Sequence, residues 1–284
     1  MIPAAFDYVA PSTVEEAVLA LQQAGDEAKV LGGGQSLLPV LRMRLADPQL
    51  VVDVGKIPEL RGVRADGDRI AIGAMTTHHE ITRDPLVHEH LPLLELATRT
   101  VADPQVRHRG TFGGSLAHAD PAGDLPAPAL VLDAEMVLAG PGGRRAVPAA
   151  EFFVDFFTTA LEPDELLVEV RLPKWTGWSA HYEKFNRVAQ AWSMVGVAAA
   201  VRVDGGTIAE ARVGLTNMAA TPIRASGVER ALVGAPATAD AIRQAARHAA
   251  DGTSPTADAS ADVDYREHLA EVLTGRAVSA AAGV

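Results

Sequence analysis

Gly32-Gly33-Gly34-Gln35-Ser36-Leu37-Leu38-Pro39 follows directly on Ala28-Lys29-Val30-Leu31, a short apolar piece that reads as a strand. A strand running into a glycine cluster invites a Rossmann-type dinucleotide turn. The spacing refuses it. Counted from Gly32, G-x-G-x-x-G needs glycine at position 37, where Leu37 stands. Pro39 would also interrupt an early phosphate-binding helix unless it lies in the first turn. No G-x-x-x-x-G-K-[ST] loop occurs, so a P-loop nucleotide hydrolase is excluded. Taken alone, the cluster serves equally as a tight turn.

A second glycine segment changes the weighing. Gly110-Thr111-Phe112-Gly113-Gly114-Ser115 lies in a stretch from Arg107 to Pro126 with so many small residues and prolines that it reads as neither plain helix nor central strand. Each glycine segment carries a hydroxyl at its edge: Ser36 in the first, Thr111 and Ser115 in the second. Glycine lets successive backbone N–H groups face one concavity with no Cβ in the way. Such a pair suits a diphosphate. The chain has 36 acids against 25 bases, a formal charge of −11. An anion must then be held by local backbone dipoles, because the overall field repels it.

The same arithmetic excludes whole classes. A nucleic-acid binder needs a basic footprint that is missing, and an anionic membrane surface is a poor partner. The 284 residues contain no cysteine. Disulfides, thiolate zinc and iron–sulfur clusters held by this chain are therefore impossible. Residues Met1 to Pro11 lack the basic start and apolar run of a signal peptide. The longest apolar stretch, Met194 to Val201, is too short to span a bilayer. The expectation is a soluble, cytoplasmic protein, large enough to bury about three quarters of its unfolded surface.

Along the chain, Ser12 and Glu15 suggest a capping box before a helix through Val14, Val18 and Leu21, stopped by Gly25. Leu50–Val54 reads as a buried strand and Asp66-Gly67 as a hairpin turn before Arg69–Ile72. Leu91–Thr100 has helical spacing. Glu135–Ala139 and Arg144–Val147 flank a Pro141-Gly142-Gly143 turn, and Glu165–Leu172 alternates as a strand up to Pro173. Lys174–Trp178 is a plausible boundary. Beyond it come a hairpin, Met194–Val203 with Ile208–Leu215, and helices at Ala225–Val233, Thr238–Ala249 and Val263–Leu273. Ala277–Val284 reads as a small-residue tail with nothing to bury. Strands and helices in mixed order predict an α+β fold.

Other chemistries fare worse. His118 and Asp120 lack further metal ligands at usable spacing. Thr77 and Glu80 make a capping box, which puts His78 and His79 in an exposed first turn facing apart. No G-x-S-x-G elbow is present. Asp120 and Asp124 could form an acid/base pair, but Pro121 and Gly123 mark them equally as turn-makers. Trp175 and Trp178 read as packing residues.

Four ordered motifs carry a family resemblance: Gly33–Pro39, Ile72–Thr76, Ala102–Ser115 and Ala119–Ala127. Tyr182–Phe185 and Leu215–Asn217 extend it nearly over the whole chain. The sequence resembles the FAD-binding medium subunit of the molybdenum hydroxylases, the xanthine dehydrogenase family. Its closest likeness is to the medium subunits of aerobic carbon monoxide dehydrogenases. The resemblance implies a two-lobed, non-Rossmann FAD domain of vanillyl-alcohol-oxidase-like type over residues 1–175, with lobes at about 1–57 and 58–175. A smaller α+β domain of carbon monoxide dehydrogenase flavoprotein type, with a sheet and helices, should occupy 176–284. It also implies FAD in this chain, [2Fe–2S] clusters in a small partner subunit and molybdopterin in a large one. The assembly would be a dimer of heterotrimers, cytoplasmic or held at a membrane only through the complex.

By position, the resemblance assigns the diphosphate and adenosine side to Gly32, Gly33, Gly34, Gln35, Ser36 and Leu37, with Leu31 before them and Ala74 from the second motif. Thr111, Gly113, Gly114 and Ser115 should close over the diphosphate. Asp124 and Lys184 should lie near polar or sugar portions, and Leu167 should pack on a ring. Relatives often carry histidine where Gln35 stands, Ile at Phe112 and Asn or Asp at Ser115. These departures touch individual hydrogen bonds. No catalytic side chain is expected, because FAD carries the redox chemistry. A free-standing FAD dehydrogenase, a medium subunit of an N-heterocycle or aldehyde hydroxylase, and a non-catalytic nucleotide-binding module remain as alternatives. Valine at Gly33 or Gly114 is expected to block the diphosphate while sparing much of the fold.

Overall fold

The computed structural model describes residues 2–284. The first element is β1 (Asp7–Val9), then α1 (Val14–Ala24), β2 (Ala28–Leu31), α2 (Leu37–Arg42) and β3 (Leu50–Asp53). The three strands form a parallel sheet in the order β1-β3-β2. The α1 cap lies one residue later than the sequence suggests. Thr13 Oγ1 accepts from the Glu16 N–H at 3.2 Å, while the Glu16 carboxylate accepts from Ser12 N at 2.8 Å. This register buries Val14, Ala17, Val18 and Leu21 on one face, so packing chose between two nearly equivalent caps.

Strands β4 (Val63–Asp66) and β5 (Arg69–Gly73) form the expected hairpin. Short helices follow: α3 (His78–Ile81), α4 (Pro85–His90), α5 (Pro92–Arg99), α6 (Pro104–Arg107), α7 (Phe112–His118) and α8 (Pro126–Val131). The Arg107–Pro126 stretch is thus more helical than its composition suggests. Thr111 caps α7 through the Gly114 N–H, so the second glycine segment is the first turn of a helix. Proline opens α8 at a position where it breaks no bond.

The hairpin β6 (Glu135–Gly140) and β7 (Gly143–Pro148) leads through α9 (Ala149–Phe152), β8 (Phe153–Asp155) and β9 (Thr158–Thr159) to β10 (Leu166–Pro173). A five-stranded antiparallel sheet results, ordered β4-β5-β10-β6-β7. One face packs on α5, α7 and α8 through Ile72, Leu94, Phe112, Leu116, Met136 and Val170. The other packs on α1 and the parallel sheet through Val137, Ala139, Leu166 and Val168.

The last third is β11 (Ser179–Phe185), β12 (Val195–Asp204), β13 (Thr207–Thr216) and β14 (Ile223–Arg224), an antiparallel sheet in that order, with α10 (Ser226–Leu232), α11 (Ala239–Ala246) and α12 (Val263–Ala282). Val195, Val197, Ala199 and Val201 of β12 face these helices, while Ala198 and Ala200 face the first core. A strand buried on both faces has no reason to alternate, which accounts for the apolar run there. The C-terminal reading needs correction. Residues 277–284 are no loose tail: α12 continues to Ala282 and buries Ala277, Val278 and Ala281. Trp175 packs as expected, its indole N–H donating to the Leu132 carbonyl at 3.2 Å. Among the described residues, no helix is long and apolar enough to cross a membrane.

Candidate functional site: a cavity between two glycine segments

The two glycine segments touch. Gly33 lies on the backbone of Arg109 and Gly110 so closely that a Cβ there would sit inside the Arg109 carbonyl group. Gly113 lies as closely on Ala74. The Gly113 N–H donates to the Ala74 carbonyl at 2.9 Å, and the Phe112 N–H to Thr76 at 3.0 Å. A bulge in β10 between Leu167 and Glu169 frees the Val168 carbonyl to accept from the Ala74 N–H at 3.0 Å. Ala74 is thus a junction between the five-stranded sheet and α7. The glycines are required first by this backbone contact. That corrects the expectation for valine: at Gly33 it would force the segments apart, and at Gly114 a Cβ would meet Thr111 Oγ1 at 2.6 Å, striking the cap itself.

Between the segments lies a cavity of about 600 Å³. Gly32 through Leu37, Ala74, Thr111, Gly113, Gly114, Ser115, Asp124, Leu167 and Lys184 all line it. Leu31, alone of the expected set, is not in the lining. The division of labour between the segments is uneven. The N–H groups of Phe112, Gly113, Gly114 and Ser115 are all taken by protein acceptors. Among the described residues, the N–H groups of Gly33, Gly34, Gln35, Ser36 and Leu37 find none. Gly34 adopts φ +78°, a left-handed conformation that glycine takes without strain. The first segment is therefore a row of unpaired donors, and the second contributes the Thr111 and Ser115 side chains. Lys29 also lines the cavity and makes no ion pair among the described residues.

Asp124 and Lys184 form the polar wall. Lys184 Nζ donates to Asp124 Oδ2 at 2.7 Å, and both side chains are almost fully buried. Asp124 Oδ1 accepts from the Tyr182 hydroxyl at 3.0 Å and from Ser193 Oγ at 2.9 Å. Burial pushes the Asp124 carboxyl above its ordinary pKa, opposed by Lys184 and the two hydroxyls. Burial and Asp124 together raise the Tyr182 hydroxyl well above its usual value. Asp120 serves the turn instead: its Oδ1 accepts from the Ala122 N–H at 2.9 Å. It does not touch Asp124 and forms no acid/base pair with it. Among the described residues, no three metal-ligating side chains come together.

The sequence reading missed part of the lining: Val101, Ala102, Val106, Leu161, Gln190 and Trp192. Gln190 is bonded to Asp103, the α6 cap, which ties the turn after β11 over the cavity. Ala102 and Val106 lie in the Ala102–Ser115 motif, which assigns them no place in the site; nothing local marks the other four. The reading of His78 as exposed is wrong. The capping box exists, with the Thr77 N–H donating to Glu80 at 2.7 Å. Yet His78 is only 4 % exposed, because α3 lies against Gly110 and not against solvent.

A diphosphate-bearing dinucleotide fits this chemistry: unpaired donors, flanking hydroxyls, a lone cation and apolar walls, in a volume typical of cofactor sites. The model of the FAD binding domain in molybdopterin dehydrogenase matches residues 4–175, and that of the CO dehydrogenase flavoprotein C-terminal domain matches 180–281. The chain belongs to the FAD-binding subunits of the molybdopterin dehydrogenases. It is 43% identical to the carbon monoxide dehydrogenase medium chain of Hydrogenophaga pseudoflava, over 99% of this chain and 98% of the relative. The solved structure of that organism's carbon monoxide dehydrogenase, in a form lacking the Mo-pyranopterin moiety, superposes with TM-score 0.96 at 44% identity, covering 99% and 98% of the two chains. Quinoline 2-oxidoreductase of Pseudomonas putida 86 matches with TM-score 0.95 at 33% identity, covering 100% and 99%. The two-domain architecture and the oxidoreductase class are those of this family, and the flavin domain is an FAD-binding one.

Proposed function

We propose that this chain is the FAD-carrying electron-transfer subunit of a molybdenum hydroxylase. It would take electrons from [2Fe–2S] clusters of a small partner subunit and deliver them to an external acceptor, with substrate oxidised at a molybdopterin in a large partner. The row of unpaired N–H groups from Gly33 to Leu37, in residues that line the cavity, carries the reading. When bound, FAD supplies a redox centre that exchanges electrons singly or in pairs.

The chain's own residues bind and orient. The first segment and Lys29 hold the diphosphate, with Thr111 and Ser115 donating from the opposite side. Leu167 and Met75 offer apolar contact to a ring, and the exposed Trp192 offers an aromatic face at the rim. The Asp124–Lys184 pair brings two charges whose sum is zero, so it orients polar groups without adding a net field. No side chain is placed as nucleophile or base.

Carbon monoxide is the proposed substrate, on the identity to the carbon monoxide dehydrogenase chain. The near-equal superposition on quinoline 2-oxidoreductase supports the second reading, an N-heterocycle or aldehyde hydroxylase. The cavity does not discriminate between them. Native purification tests the proposal. Released FAD together with molybdenum and iron, and reduction of the flavin band by carbon monoxide, are expected. FAD without either metal overturns the complex, and reduction by an N-heterocycle but not carbon monoxide moves the substrate to the second reading.

A further inference from the structure

His78 is the sole buried histidine among the described residues. Its backbone N–H donates to the Gly110 carbonyl at 3.0 Å. The Cδ2–Nε2 edge of the ring lies against that glycine: a Cβ on Gly110 would stand 2.9 Å from His78 Cδ2 and 3.0 Å from Nε2. Glycine at 110 is what makes room for an imidazole at this spot. The ring belongs to the cavity wall, beside Val101, Ala102 and Val106.

Its hydrogen bonding is incomplete. Among the described residues, Nδ1 is fully buried without a partner, and none is bonded to Nε2. Buried polar atoms without partners are rare and call for an explanation. Burial and the nearby Arg107 guanidinium lower the His78 pKa to about 4, so the ring is neutral near pH 7 and carries a single N–H. A proton on Nδ1 would be a buried donor with no acceptor. A proton on Nε2 meets no acceptor among the described residues, and a ligand in the cavity that His78 lines can accept it.

We infer that His78 is a positioning residue for the cofactor, donating from Nε2–H to an oxygen or ring nitrogen of the bound FAD. This rests on the FAD reading above and adds a contact outside both glycine segments. The test uses natively purified protein, stripped of flavin and titrated with FAD by fluorescence. His78→Leu keeps the volume and removes the donor, and His78→Gln restores an N–H near the Nε2 position. Expected is FAD binding about tenfold weaker for His78→Leu, one lost hydrogen bond's equivalent, and recovery to within about threefold for His78→Gln. Unfolding temperatures of the flavin-free forms should match, which a purely structural role would not allow. In wild-type protein, nitrogen-15 spectra should show the Nε2–H form and a shift of that proton on FAD addition; this readout stands even if a variant fails to fold. Equal affinity of His78→Leu and wild type, no rescue by glutamine, or an Nδ1–H form that FAD leaves unmoved overturns the inference. Wild-type protein that takes up no FAD overturns the FAD reading itself.

Discussion

Gly33 shows how a residue can be legible for the wrong reason. Its place in a glycine cluster points to a ligand, and the cluster does line the cavity. The space its missing side chain vacates, however, is filled by the Arg109 carbonyl of a distant segment. Gly33→Ala should therefore destabilise the flavin-free protein by about 2 kcal/mol or more, as overpacking against backbone does. Gly142→Ala, with nothing within 4 Å of the new Cβ, should leave the unfolding temperature unchanged. Thermal unfolding of both variants decides it. At His78 the sequence misled, because a capping box says where a helix starts and nothing of what lies over it. The ring's pKa is lowered from an ordinary 6.5 to about 4. Its contribution to stability is whole above pH 6.5. It is lost as pH falls toward 4, since the unfolded chain takes up the proton first. The loss amounts to roughly 3 kcal/mol at pH 4. Urea midpoints measured from pH 7 to 4 should match near pH 7 and then fall further for wild type than for His78→Leu, which has no titrating group at this position.

At the scale of elements, the hairpins were the readable part. Asp66-Gly67 and Pro141-Gly142-Gly143 carry turn chemistry that fixes the chain locally, and both hairpins form in register around them. Several elements were not readable, among them β11, α7 and the end of α12. The first turn of α7 is made of Phe112, Gly113 and Gly114, poor helix formers held helical by the Thr111 cap and by tertiary bonds to Ala74 and Thr76. The end of α12 is built of alanines with one serine and one valine, whose apolar and polar sides hardly differ, so periodicity has little contrast to reveal. Burial nevertheless distinguishes them. A chain ending at Arg276 loses Ala277, Val278 and Ala281 from the core and should unfold with roughly 3 kcal/mol less stability. An unchanged denaturant midpoint would show that the last turns of α12 contribute no packing.

At the scale of the whole molecule, the cavity is assembled from segments far apart in the chain, from Lys29 to Trp192. Its polar wall depends on the last third, because Tyr182, Lys184 and Ser193 all converge on Asp124. A fragment ending at residue 175 would leave Asp124 without these donors, and breaking such a buried pair costs about 3–5 kcal/mol. The fragment should bind FAD weakly and unfold at a lower temperature than the full chain; full-chain affinity and stability in the fragment would refute the shared wall. The sequence by itself determined the α+β class, the glycine segments, the hairpin turns and, through ordered motifs, the family. These rest on local backbone preference and on residue order, both written along the chain. The tertiary structure alone decided which N–H groups stay unpaired, which glycine faces backbone and not ligand, and which histidine is buried. Those outcomes depend on what distant segments bring to the same place, and no local pattern carries that information.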